Sequence, residues 1–172
     1  MTDRSVPLAH HHPRAVILPL AVSEAGGSLT FTVSDVAGCS SLRKVNPGSK
    51  WGRFCRKTLE RRVVPSITLT DAINLVPPNL PIRLLKVDAQ GVDFDILRSV
   101  PARVFARVET VILEVVPSRC TPLYVGQATC EQVFAFMKVL GFEPVTYKFC
   151  PKRGCEVNLI FRRAHFKAAR PP

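Results

Sequence analysis

The sequence predicts an α/β domain in which helices surround a mostly parallel sheet that closes in a C-terminal antiparallel hairpin. Three observations carry this expectation. Two continuous apolar runs, IRLLKVD (82–88) and TVILEVV (110–116), have the composition of strands covered on both faces. Each is followed by a stretch with helical spacing, VDFDILRSV (92–100) and CEQVFAFMKVLGF (130–142). Beyond these lie EPVTYKF (143–149) and EVNLIFRR (156–163), two strand-like segments joined by the turn CPKRG.

A chain of 172 residues, 47% of them apolar, suits one folded domain with a real core. No apolar run reaches the roughly 18 residues of a membrane span, and AVILPLAV (15–22) is interrupted by Pro19. That run has two readings, a short signal-peptide core behind Arg14 or a buried strand. The strand is preferred because three histidines make a poor charged leader. Residues 1–14 are expected to be a disordered leader and 164–172 a basic tail, with the domain between them over 15–163.

The remaining elements follow in order. SLTFTV (28–33) alternates after the Gly26-Gly27 turn, as an antiparallel neighbour of the preceding strand would. GCSSLRKVNPGSKWG (38–52) is rich in turn formers and reads as a loop. VPSITL continues from Val63 as a strand to Leu69, and Thr70 with Asp71 begins a short helix that PPNLP stops. In 92–100, Phe94, Ile96 and Leu97 face inward and the acids sit where the helix dipole favours them. In 130–142, Val133, Phe134, Met137 and Leu140 share one face, and Gly141 is the C-terminal cap.

Charge and cysteine bound the partners. The net charge of +11 is concentrated: residues 43–62 hold eight Lys or Arg against Glu60, and 148–170 hold seven against Glu156. Such segments attract polyanions, and Trp51 and Phe54 within the first can stack on bases. Six cysteines occur with no CxxC, and the Cys150–Cys155 spacing is loose for zinc, so no metal site is assigned. A domain of this size does not need staples, and reduced thiols in a cytoplasmic protein are expected.

The stretch LLKVDAQGVDFDIL (84–97) concentrates the chemistry. Asp88 ends one strand and Glu114 lies near the end of the next, where ligands of open α/β sheets bind. Two such carboxylates can take a proton, hold a cation or bind a hydroxyl, while Gly91 permits a tight turn. The structural alternatives are an ion pair between Lys86 and Asp88, two residues apart on one strand face, and an Arg partner for Glu114.

These residues carry a resemblance. LLKVDAQGVDFDIL followed by VETVILEV resembles the signature of FkbM-type methyltransferases, a Lys-Ile-Asp-x-Glu-Gly-x-Glu pattern and then a strand ending in Glu. AVILPLAVSEAGGSLTFTV, CSSL (39–42), VPSITLTDAI and the closing NLIFRR resemble further parts of that family, over residues 15–163. The resemblance implies a Rossmann-like class I methyltransferase fold that uses S-adenosylmethionine to methylate a hydroxyl of a small molecule or sugar. By the match, Asp88 positions the acceptor or serves as base, with Gln90 beside it and Glu114 in contact with the acceptor or behind it. Val22, Ser23, Ser41 and Asp88 would contact the cofactor, the first three nearer its adenine side.

The departures are informative. Gln90 and Asp93 stand where the family has Glu. The glycine-rich turn after the first strand and the acid ending the second have no counterpart, so the chain resembles the C-terminal portion of the domain, its N-terminal strands missing and its activity alone in question. The absent first strand would adjoin the strand carrying Asp88. Its edge is then expected to be exposed and to pair with a second copy or a partner chain. The alternative is a non-catalytic protein that uses 43–62 and 148–170 to hold an anionic partner such as RNA.

Overall fold

The computed structural model describes residues 15–166 apart from 37, 56, 148 and 152–154. The expected leader 1–14 and all but the first three residues of the expected tail lie outside the described residues.

The core is organised by β5 (Val108–Val115), whose Val111, Leu113 and Val115 are buried. It pairs in parallel with β4 (Ile82–Val87) and antiparallel with β7 (Val157–Arg163). β6 (Phe142–Pro144) adds to the far side of β7, giving the order β4-β5-β7-β6. Leu159 and Phe161 of β7 lie opposite Leu113 and Val111 and extend the same apolar face.

Helices cover that face. Going along the chain, α1 is Leu69–Asn74, α2 is Asp93–Arg98, α3 is Ala102–Phe105 and α4 is Cys130–Val139. α4 begins in a capping box: Thr129 Oγ1 accepts from Gln132 N, and Gln132 Oε1 accepts from Thr129 N. It ends at Gly141, whose φ of +77° suits glycine. Val133 and Met137 of α4, Ile96 and Leu97 of α2 and Phe105 of α3 complete one continuous core. The one-turn helix α3 was not anticipated from the sequence.

The N-terminal half forms a separate three-stranded sheet of order β1-β3-β2, from β1 (Ala21–Ser23), β2 (Gly27–Ser34) and β3 (Thr58–Thr68). β1 is parallel to β3 and β2 antiparallel to it. The expected pairing of β2 with the strand before it is corrected, because β3 inserts between them. The expected strand over 15–22 shrinks to Ala21–Ser23, since residues 15–20 have no regular structure and Pro19 lacks an N–H for a ladder. α1 is capped by Thr68, whose hydroxyl accepts from Asp71 N, and it buries Leu69 and Ile73 in the main core.

Three further expectations are corrected. The architecture is mixed α/β with two small mixed sheets, not one mostly parallel sheet. β4 is not covered on both faces: it is an edge strand, with Arg83, Leu84 and Lys86 exposed. The cysteines are not free. Cys39 pairs with Cys55, Cys120 with Cys155 and Cys130 with Cys150, at Cα separations of 5.4, 5.6 and 5.9 Å. The last two bridges tie the loop after β5 and the start of α4 to the segment joining β6 and β7, so the fold itself brings distant cysteines together. The ground for a cytoplasmic chain falls with the reduced thiols.

Candidate functional site

The turn after β4 is built from residues 88–93. Asp93 is buried, and its carboxylate accepts from the N–H groups of Ala89 and Gly91, both at 3.0 Å. Burial pushes its pKa up, and those two backbone donors oppose the shift. Gln90 and Gly91 both take positive φ, +50° and +94°. A Cβ on Gly91 would stand 2.5 Å from the Tyr124 ring, so the turn and the ring fit only with glycine there.

Two further contacts fix Gln90. Ser41, almost fully buried, donates its hydroxyl to Gln90 O at 2.6 Å and accepts from Arg43 N at 2.9 Å. The Tyr124 hydroxyl lies 3.2 Å from both Gln90 Oε1 and Gly38 O. The Gln90 amide then donates to Asp88 Oδ1 at 3.3 Å, and Lys86 Nζ pairs with Asp88 Oδ2 at 3.0 Å. The ion-pair alternative for Asp88 is thus what the structure contains. Its carboxylate remains half-exposed and available to a ligand.

Asp88, Gln90 and Lys86 border a cleft of about 360 Å³. Val22 of β1 forms part of the opposite wall, and Leu69, Leu85 and Ile96 contribute to its apolar lining. The cleft lies where β1 and β4, each the edge of its own sheet, approach one another. Val22, Asp88 and Gln90 are therefore brought together. Ser23 is not part of that wall: its hydroxyl accepts from Gly26 N at 3.1 Å and donates to Ser66 Oγ at 3.3 Å, which shapes the turn after β1. Ser23 instead borders a smaller neighbouring cavity of about 230 Å³. Ser41 acts from behind, through the main chain of Gln90.

Glu114 stands one residue beyond the Val87–Leu113 pair, level with Asp88 on the neighbouring strand, but does not line the cleft. The Arg partner considered for it is not found: among the described residues its side chain makes no ion pair. Burial raises its pKa to about 7, helped by Glu156, Asp93 and Asp88 and opposed by Lys86. Burial, with Glu156, Glu114 and Asp93, also pushes Tyr124 far above the ordinary phenol range, so its hydroxyl keeps its proton.

Sequence reading missed Tyr124, Ser41's grip on Gln90, and the ion pair between Arg43 and Asp95. Arg43 also donates to Val125 O at 2.8 Å and so ties the loop after β2 to the segment carrying Tyr124. These partners lie 34 to 82 residues apart, and no local pattern announces them.

Compared with protein-family models, curated proteins and solved structures, the chain matches none. Among the described residues, no helix is long and apolar enough to cross a membrane, and no group of three or more His, Cys, Asp or Glu is placed to hold a metal ion.

Proposed function

We propose that the cleft between β1 and β4 receives the adenosine end of S-adenosylmethionine, and that the chain is the C-terminal part of an FkbM-type methyltransferase acting on a hydroxyl of a small molecule or sugar. The observation that carries this reading is the cleft itself. Apolar walls of Val22, Leu69, Leu85 and Ile96 suit a flat base, while Asp88 and Gln90 present a carboxylate and an amide at its border. Both stand beyond the carboxyl end of β4, the position that α/β sheets offer to ligands.

The residues fit one end of the cofactor. Among the described residues no glycine-rich turn admits the methionine part and no strand-end acid remains to hold the ribose. When bound, the cofactor supplies an electrophilic methyl carbon. This chain's own contribution is narrower: Asp88 accepts a hydrogen bond from the cofactor's adenosine end or from an acceptor hydroxyl, Gln90 and Lys86 hold the carboxylate in place, and Tyr124 and Ser41 hold Gln90. The free edge of β4, whose outer side pairs with nothing among the described residues, is open to a second copy or a partner chain. Three disulfides favour an oxidising compartment.

Calorimetric titration of the purified chain with S-adenosylhomocysteine tests the proposal. Saturable binding that weakens in Asp88→Ala is the expected result. A folded chain that binds none, at any protein concentration, removes the cofactor reading.

A second, non-catalytic reading makes residues 43–62 a surface for an anionic partner such as RNA. It is favoured by Trp51 and Phe54, both exposed with ring centroids 5.8 Å apart, and by Arg53, whose guanidinium lies 5.0 Å from the Phe54 ring centre. Affinity for an oligonucleotide that falls steeply with salt is its expected signature. Residues 148–170 form the second basic segment of this reading. Arg163 is spent on the carbonyls of Phe105, Val108 and Leu140, and Lys148, Lys152, Arg153, Lys167 and Arg170 lie outside the described residues.

A further inference from the structure

A cavity of about 220 Å³ lies at the foot of the basic loop, between that loop and the β2–β3 ribbon. Its charged lining is entirely cationic: Arg43, Lys44 and Arg61. Among the described residues, Thr32 and Thr58 add hydroxyls, Ser34 borders the cavity with its own hydroxyl engaged by Asp35 and Val36, and no carboxylate borders it. The strand register explains the convergence. Thr32 lies opposite Arg61 and Ser34 opposite Thr58, so side chains of β2 and β3 share this face.

The cations are not all neutralised. Among the described residues the side chains of Lys44 and Arg61 have no acidic partner. Arg43 pairs with Asp95 through its terminal nitrogen, which leaves its buried Nε without a hydrogen bond. The two acids adjoining the site in sequence are already engaged, Asp35 with Lys57 at 3.8 Å and Glu60 with Arg62 at 2.8 Å. The Cys39–Cys55 disulfide forms part of the wall and fixes the loop over the ribbon. Convergent cations and hydroxyls, one donor buried without an acceptor, and a covalently held rim are the makings of an anion site.

We propose that this cavity binds the tetrahedral oxyanion of a sulfate or phosphate monoester. Donors approach from the loop and from two strands, which suits an anion with oxygens in several directions better than a planar carboxylate. The volume is below the roughly 300 Å³ at which drug-sized ligands begin, so it fits the ester group with part of its carrier. The site shares the basic loop with the RNA reading but not its ligand. A polymer that follows general surface charge survives loss of this cavity.

The test is calorimetric titration of the oxidised full chain with glucose 6-sulfate and glucose 6-phosphate, with glucose and glucuronate as controls. One saturable site for an ester is expected, with no binding of either control, and the tighter ester identifies the source of the anion. Lys44→Gln and Arg61→Gln should each weaken binding roughly tenfold, the scale of one charge-assisted hydrogen bond. Both side chains are exposed, so both variants should fold, and unchanged thermal melts check this. Arg103→Gln removes the same charge from an exposed position on α3 and should leave binding intact. No saturable binding of either ester overturns the proposal. So does equal weakening by Arg103→Gln, or binding indifferent to both pocket substitutions.

Discussion

The two sheets of this protein are held by different physics. In the four-stranded sheet, Val111, Leu113, Leu159 and Phe161 meet the apolar faces of α2, α3 and α4, so burial fixes the structure. The three-stranded sheet has little beneath it: β3 is exposed over Thr58–Val63, including Leu59 and Val63. Its order comes from the ladder with β2, a disulfide at the base of the adjoining loop, and α1, which anchors its end in the main core. A scaffold rigid on one side and tethered on the other leaves a cleft at the join. That cleft is where Asp88 and Gln90 stand.

Core truncation should separate the sheets most sharply. Leu113→Ala is expected to cost about 2–5 kcal/mol because the cavity it leaves cannot collapse. Val63→Ala on the exposed ribbon should cost less than about 1 kcal/mol. Denaturant titration of both variants measures the contrast, and similar losses would mean that the ribbon is buried in solution.

Next in size is the tether. Replacing Cys39 and Cys55 together with serine opens a loop of 16 residues in sequence separation and should cost about 3 kcal/mol on a chain-entropy account. Amide exchange should speed up in the loop and in the facing ends of β2 and β3, and remain slow in β5. Acceleration throughout would show that the two sheets unfold as one unit.

Gly91→Ala probes the join. Its positive φ and the Tyr124 ring both oppose a side chain, and the expected loss is about 2–3 kcal/mol. Pairing the change with Tyr124→Ala should return part of that loss, which a double-mutant cycle would read as coupling.

Glu114 gives a signed effect. Unfolded, it ionises near 4.5; folded, it keeps its proton to about 7. The folded chain therefore binds more protons in that window, and through this group stability falls as pH rises from about 4.5 to about 7, then levels off. Glu114→Gln should be more stable than the parent at pH 8 and lose this part of the dependence. A variant no more stable at pH 8 would mean that the carboxylate is solvated or paired in solution.

Legibility in the sequence followed the range of the interactions. The apolar runs of β4 and β5, the face of α4 and its glycine end were readable because each is decided within a dozen residues. The ion pair of Lys86 with Asp88 was readable for the same reason. Insertion of β3 between β1 and β2 was not, since alternation names a strand without naming its neighbour. Exposure of β4 was anticipated only through the family resemblance, and its composition argued the opposite. The disulfides join residues 16, 35 and 20 positions apart, so spacing held no sign of which thiols would meet. Asp88, Gln90 and Val22, legible as site candidates, line the cleft, but Tyr124, which holds Gln90, has no mark in the chain.

The central claim is that the join between the sheets, and not the basic loop, takes the nucleoside. Photolabelling with an azido-adenine analogue of S-adenosylmethionine, followed by mapping of the modified peptides, tests it most directly. Labels on residues 21–22 or 85–96, suppressed by excess S-adenosylhomocysteine and weakened in Asp88→Ala, are the predicted result. Labels confined to residues 43–62, or unaffected by the competitor, would contradict the account and leave the anion-binding surface as this protein's working part.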